Sequence, residues 1–200
     1  MYNEFFVPYP KIETDRLIIR MVRRSDDKDL YELCRRPETS MYSLWSPHAS
    51  ILETRDFINY QLSLYRKRKC MFFVVEEKRT GRVLGTCSYV SMDEDFKIAE
   101  IGYSILSDVW NNGFATEVAD ALMGYAFNRI GVQRVFARVL PQNTASIKVL
   151  LKLGLKYEGT ARKGYYFDGR VGDLGIYGIT DDEYFNTRDV GPELPRNNDR

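Results

Sequence analysis

Along the chain, apolar residues fall into short β-branched runs and into longer stretches with helical spacing. The run Arg16-Leu17-Ile18-Ile19-Arg20-Met21-Val22 reads as a first strand. Ser25 then supplies an N-cap before Asp26 and Asp27, with Leu30 and Leu33 on one face of a helix. From Glu53 to Arg68, Phe57, Ile58, Leu62 and Tyr65 recur at helical spacing and predict a second helix. Met71 to Val75 and Val83 to Val90 predict two strands joined by Glu77-Lys78-Arg79-Thr80-Gly81, a hairpin whose Gly81 suits a positive φ.

Ile98 to Leu106 predicts a further strand, and Gly113 to Arg129 an amphipathic helix of about 25 Å. Val135 to Leu140 predicts a strand, and Thr144 to Leu153 a helix ended by Gly154. Alternation of strand and helix after residue 98 argues for a parallel pair with a right-handed crossover. Leu155 to Gly159 and Val171 to Ile179 predict the last two strands, separated by a loop rich in Gly and Tyr. There is no internal repeat. The expected organisation is one domain over residues 1–185 and a mobile tail over 186–200, where Pro192, Pro195, Asn197 and Asn198 stand among few apolar residues.

Composition narrows the classes. Two hundred residues with 44% apolar content, 14 Tyr and 11 Phe can bury one sizeable core. Nothing approaches the roughly 18 consecutive apolar residues of a membrane span, and the start MYNEFFVPYPKIETDR lacks the pattern of a secretory signal, so the expected location is cytoplasmic. Lys plus Arg at 29 against Asp plus Glu at 28 gives a net charge of +1, which does not fit a nucleic-acid binder; the local patch Arg66-Lys67-Arg68-Lys69 suits a solvated helix end. Cys34, Cys70 and Cys87 are odd in number and widely spaced, which fits a reducing compartment and no metal-ligand pattern. The single histidine, His48, leaves little material for a histidine zinc site or a Ser-His-Asp triad. It follows Ser46-Pro47 and reads as a surface or substrate-cleft residue.

The informative chemistry lies between residues 98 and 129. A strand running into a Gly-containing turn and a helix N-terminus gathers free backbone N–H groups and the positive end of the helix dipole at one point. Such a point binds phosphate. The donors here would be the amides of Asn111, Asn112, Gly113, Phe114, Ala115 and Thr116. Gly113 and Ala115 let a ligand approach the main chain, and Asn111 or Asn112 tolerates left-handed dihedrals. A plain strand-to-helix turn is the alternative reading of the same residues.

Four separated motifs resemble the acetyl-CoA-binding core of the GNAT superfamily of N-acetyltransferases. Glu100-Ile101-Gly102-Tyr103-Ser104-Ile105 stands as the splayed strand and Trp110 through Glu117 as the pyrophosphate loop. Asn143-Thr144-Ala145-Ser146 through Leu155 stands as the second motif. Glu13 to Arg20 and Tyr165 to Arg170 point more narrowly to the RimJ/RimL-like branch. The resemblance spans about residues 11–180. It implies an α/β (α+β) fold with a mixed, mostly antiparallel central sheet, a splayed parallel pair and helices on both faces. It also implies acetyl-CoA as co-substrate, with no metal.

By the same resemblance, the backbone of Ser104, Ile105 and Leu106 pairs with the pantetheine arm, and residues 111–116 hold the pyrophosphate. Asn143 contacts the pantetheine arm, although it serves equally as the N-cap of its helix, and Ser146 lies close to the thioester sulfur. Many relatives place a tyrosine general acid seven residues after the motif asparagine; here that position is Leu150.

The implied reaction is direct transfer of acetyl to a primary amine, which needs a base or water path and a donor to the departing thiolate. Glu100 is the expected base, with a strand-end ion pair as its alternative. Ser146 is the expected donor, with helix packing as its alternative. No cysteine lies beside an assignable base, which argues against an acetyl-cysteine intermediate and for a ternary complex.

The branch suggests a protein N-terminal α-amine, such as that of a ribosomal protein, as acceptor; similar enzymes also take small amines. The acids Asp93, Glu94, Asp95, Asp168 and Asp173 or the aromatics Tyr89, Tyr103, Tyr165, Tyr166 and Phe167 would receive a cationic amine, as would Trp45 to His48. A non-catalytic acyl-CoA sensor is the alternative function, and an RNA contact through the basic patch a third. Exposed aromatics and a C-terminal edge strand leave a homodimer open.

Overall fold

The structure is a computed structural model in which residues 8–188 are described, apart from 44, 70, 94 and 96. Cys70, Glu94 and the last twelve positions of the expected tail, 189–200, lie outside the described residues.

Among the described residues eight strands form one sheet: β1 (Ile12–Glu13), β2 (Leu17–Arg20), β3 (Phe72–Glu77), β4 (Val83–Asp93), β5 (Ile98–Ile105), β6 (Arg134–Val139), β7 (Lys156–Phe167) and β8 (Arg170–Thr180). Their spatial order is β1-β2-β3-β4-β5-β6-β8-β7. Every neighbouring pair is antiparallel except β5 and β6. The helices are α1 (Asp27–Cys34), α2 (Pro37–Ser40), α3 (Ile51–Arg66), α4 (Phe114–Tyr125), α5 (Thr144–Lys152) and α6 (Asp181–Asn186). This is the mixed, mostly antiparallel sheet with one parallel pair that the motifs imply.

Both faces of the sheet are covered, and β3 shows why its sequence is almost continuously apolar. Phe73 and Val75 join the core under α4, while Val74 joins the core formed with Leu30 and Leu33 of α1 and Ile58 and Tyr65 of α3. Alternating strand residues thus enter opposite cores. The two cores are separate clusters of buried side chains.

Several local expectations change. Ser25 is not a helix N-cap; it sits inside a 3-10 turn, Arg24–Asp26, and α1 starts after Asp26. The reason is electrostatic: Asp26 turns its carboxylate to Arg20, with two contacts of 2.9 Å, and to the amide of Arg23 at 2.7 Å. α3 begins before Glu53, because Ser50 is the cap and accepts from the Glu53 amide.

The expected Gly- and Tyr-rich loop between the last two strands is instead a long hairpin. Asp168 and Gly169 make its two-residue turn, with φ of 50° and 72°, and Phe167 pairs with Arg170. Its Gly172 is a close-approach position, since a Cβ there would run into the Tyr165 ring. α6 lies beyond the expected last strand, capped by Thr180 and Glu183. Of the expected tail, Arg188 is described: it pairs with Asp120 and covers the Tyr184 ring. No helix among the described residues is long and apolar enough to cross a membrane.

Candidate active site

The site begins where β5 and β6 part. β5 pairs with β6 only at Ile98, Ala99 and Glu100, whereas its other edge stays paired with β4 as far as Ile105. β6 meanwhile follows β8 to Val139. The two strands therefore diverge after Glu100 and leave a wedge, along which β5 has no strand partner on its β6 side. An unpaired strand edge is a template for an extended ligand.

At the apex of the wedge Glu100, 5% exposed, accepts from Arg138 at 2.8 and 3.1 Å. Ser91 adds a third bond at 3.1 Å. Ser91 reaches Glu100 because of a β-bulge: the register passes from Tyr89 opposite Ile101 to Ser91 opposite Glu100, leaving Val90 unpaired. The carboxylate raises the Arg138 pKa through that bond. Glu100 is therefore the pivot of a salt bridge as well as a cavity-lining carboxylate.

Past the wedge, β5 runs into a 3-10 turn, Ser107–Val109, and then the loop before α4. Trp110 pins this turn by donating its indole N–H to the Ile105 carbonyl at 2.7 Å. Asn111 takes φ 62° and Gly113 φ 79°, so the chain uses the left-handed region twice to aim α4 at the wedge. Just before β2, Arg16 braces the loop: it donates to the Asn112 carbonyl at 2.8 Å and lies over the Phe114 ring at 4.4 Å. Glu117 completes the brace, accepting from Arg16 and from the Thr14 hydroxyl at 2.5 Å. Burial opposes its ionisation, but these donors hold its pKa below the usual range. Glu117 is committed to structure.

α5 enters from the other side. Asn143 caps it by accepting from the Ser146 amide at 3.1 Å. Ser146 then stands 2.9 Å from the Tyr103 hydroxyl on β5. Burial pushes the Tyr103 phenol up to about 12, against the opposing effect of the Ser146 bond. Leu150, one turn after Ser146, is fully buried in the core. Sequence reasoning missed Tyr103 as a partner for Ser146, and the signal available was its place on the splayed strand.

One cavity of about 950 Å³ connects these parts. It is lined by Glu100, Ser104, Ile105, Asn111, Gly113, Phe114, Ala115, Thr116, Asn143 and Ser146, so most of the expected site residues meet there. Leu106 and Asn112 are not among the lining residues. Leu106 is buried between α1 and α3, and its N–H is donated to the Leu84 carbonyl, which leaves it no donor for a ligand. The Asn112 side chain turns back to the Val109 and Trp110 carbonyls. Lys148 and Lys152, which the sequence reading did not single out, add positive charge to the α5 wall.

The expected substrate clusters separate. Trp45 and His48 line the cavity. Of the aromatic set, Tyr103 lines it, but Tyr89 is buried with its hydroxyl on the Leu122 carbonyl, and Tyr165, Tyr166 and Phe167 lie along β7 away from the lining. Asp93, Asp95, Asp168 and Asp173 are also outside the lining, and Asp173 accepts from the Lys163 amide. Asp93 ends β4, Asp95 and Asp168 lie in turns, and Asp173 lies within β8. Burial pushes the Cys34 thiol up to about 12 and Cys87 above the usual thiol range, so neither is a ready nucleophile near neutral pH. Among the described residues no cluster of His, Cys, Asp and Glu could hold a metal ion.

Comparison with known proteins gives the same answer as the wedge and its loop. A family model described as an acetyltransferase (GNAT) domain matches residues 16–156. The uncharacterized N-acetyltransferase YoaA of Bacillus subtilis (strain 168) is 32% identical over 171 residues, covering 86% of this chain and 97% of that protein. The [ribosomal protein uS5]-alanine N-acetyltransferase of Escherichia coli (strain K12) is 22% identical, covering 87% and 92%. A crystal structure of a GNAT-family acetyltransferase from Bacillus anthracis shares the fold with a TM-score of 0.77 at 24% identity, covering 86% of this chain and 99% of that one. The chain belongs to the GNAT family of acetyltransferases, which use acetyl-CoA, and its relatives include the ribosomal-protein N-acetyltransferases of the RimJ/RimL type.

Proposed function

We propose that this acetyltransferase moves acetyl from acetyl-CoA directly to a primary amine, a protein N-terminal α-amine or a small-molecule amine, with both substrates bound in the 950 Å³ cavity. The observation that carries the reading is the divergence of β5 from β6 after Glu100, which opens a strand edge between the loop before α4 and the start of α5. The residues present fit acetyl-CoA. The first-turn amides of α4 have no intrahelical acceptors and face the cavity with the positive end of the helix dipole. Lys148 and Lys152 favour a polyanion on the same wall.

When bound, acetyl-CoA supplies an acetyl group activated as a thioester. Residues 111 and 113–116 would cradle its pyrophosphate, the open edge of β5 about Ser104 and Ile105 would receive its extended arm, and Asn143, which caps α5, would lie beside it. Ser146, backed by the proton that Tyr103 holds on its phenol oxygen, is the donor to the departing sulfur. Glu100 receives the amine proton through water at Oε1, which accepts one bond from Arg138 and keeps a lone pair, while Oε2 accepts from both Arg138 and Ser91. The two buried thiols support a ternary complex over an acetyl-cysteine route. A cytoplasmic setting, where acetyl-CoA and reduced thiols coexist, and one catalytic domain over residues 1–185 belong to the same reading.

A thermal-shift titration with acetyl-CoA, free CoA and NAD in parallel tests it. Stabilisation by both CoA species and none by NAD, followed by amine-dependent thiol release, is the expected result. Stabilisation without thiol release from any amine would leave an acyl-CoA-binding module instead.

A further inference from the structure

The cavity extends past the transfer site to residues from α1 to α3, and this part has a distinct character. Trp45, His48, Phe57 and Phe72 form a chain of edge-to-face rings, with centroid separations of 6.0, 6.0 and 5.3 Å. Such rings present apolar area at low conformational cost and favour a flat or bulky apolar guest.

Charge points the same way. Among the described residues, the acids lining the cavity are Glu38 and Glu100, and both are engaged: Glu38 accepts from the Ser107 hydroxyl and lies 4.0 Å from Arg36, and Glu100 holds Arg138. A polyamine, with several ammonium groups, needs several uncommitted carboxylates. Burial also lowers the His48 pKa, so the imidazole adds a neutral polar face whose Nδ1 lies 2.8 Å from the Thr54 hydroxyl.

Thr39 supplies the second, independent observation. It lines the cavity, is 6% exposed, and its hydroxyl has no hydrogen-bond partner in the protein. A buried hydroxyl left unbonded is a standing cost; the oxygen has almost no accessible surface, so a ligand atom relieves that cost once the side chain turns it toward the cavity.

We propose that this region is the acceptor subsite, selecting a small primary amine on an aromatic body whose polar substituent bonds Thr39. The proposal rests on the acetyltransferase reading and names its substrate class. In the transfer the amine nitrogen bonds the acetyl carbon as the C–S bond breaks; the amine gives up one proton and the thiolate takes one.

The test uses the full chain with acetyl-CoA and measures CoA release from 2-phenylethylamine, tyramine, spermidine and short peptides beginning with Ala or Ser. The aromatic amines should exceed spermidine and the peptides in kcat/KM by about 30-fold, the range one apolar pocket supplies. Thr39→Val keeps the side-chain volume and should raise the KM of tyramine about tenfold, with Thr39→Ser restoring it. Release from spermidine or the peptides at equal or greater efficiency overturns the acceptor assignment and leaves the transferase reading standing. Calorimetry of tyramine against CoA-saturated protein decides the case of no turnover: absent binding overturns the subsite. Failure of acetyl-CoA itself to bind removes both readings.

Discussion

The hydroxyls of Tyr103 and Ser146 meet at 2.9 Å, tying the splayed strand to the first turn of α5 beside the point where β5 and β6 separate. The pair sits one helical turn before Leu150, which faces the core and offers no polar group. If Tyr103 backs Ser146 as the proton source, Tyr103→Phe should lower kcat by roughly 10²-fold with little change in acetyl-CoA affinity. Ser146→Ala should lose a similar factor, and the double variant much less than the product of the two, because the hydroxyls act as one unit. Steady-state kinetics with a parallel binding isotherm checks this; additive losses would separate the two groups.

Gly113 makes the approach to α4 with φ 79°. A Cβ there would find the Arg16 guanidinium at an ordinary 3.5 Å, so Gly113→Ala is resisted by backbone dihedral strain rather than by a clash. That strain costs about 1–2 kcal/mol. Gly113→Glu adds a carboxylate at the anion cradle and should remove acetyl-CoA binding altogether. Comparing thermal shift by CoA across wild type, Ala and Glu variants separates strain from blockage: stability should fall in both, and ligand response should vanish only with Glu.

Arg138 and Glu100 divide the burden of the wedge unequally, since the Glu100 side chain is 6% exposed and that of Arg138 42%. Removing the cation leaves a buried carboxylate with the Ser91 hydroxyl as a remaining partner. Arg138→Gln should therefore destabilise by about 1–3 kcal/mol, less than for a fully buried pair because solvent reaches the guanidinium. Glu100→Gln should keep the neutral bonds and most of the stability while cutting thiol release, if Glu100 takes the amine proton. Chemical denaturation and thiol release measured on both variants distinguish the pair's structural role from the carboxylate's chemical one.

Legibility in the sequence followed the range of the forces involved. The strand, loop and helix from Ile98 to Tyr125 could be read because a glycine turn and helical spacing are local signals. Asn143 as a helix cap was readable for the same reason. Ser25 looked like a cap and is not one, because Arg20 and Arg23 claim Asp26 across a turn. The Asp168-Gly169 hairpin was mistaken for a loop, since its glycines mark close cross-strand approach to side chains such as Tyr165. Arg138 on Glu100, Arg16 on the loop and Tyr103 on Ser146 join residues 38, 96 and 43 positions apart, and no periodicity encodes such pairings.

Buried thiols should make the fold less stable in alkali. Cys34 is raised from 9.0 to about 12 by burial alone, so the folded chain keeps a proton that the unfolded chain releases first. The sign follows: the contribution to stability is complete below pH 9 and is lost as pH rises toward 12. While only the unfolded thiol is ionised, each pH unit removes about 1.4 kcal/mol. Cys87 acts in the same direction, and Tyr103 adds to it above its ordinary value of 10.0. Urea denaturation in reducing buffer at pH 8, 9, 10 and 11 should show midpoints that are level to pH 9 and then fall. Cys34→Ala should be less stable at pH 8, through the small cavity it leaves, yet show a shallower decline above pH 9, so the two curves should converge. Parallel curves would mean that Cys34 meets solvent in the folded protein and that the wall of the cavity it lines is open there.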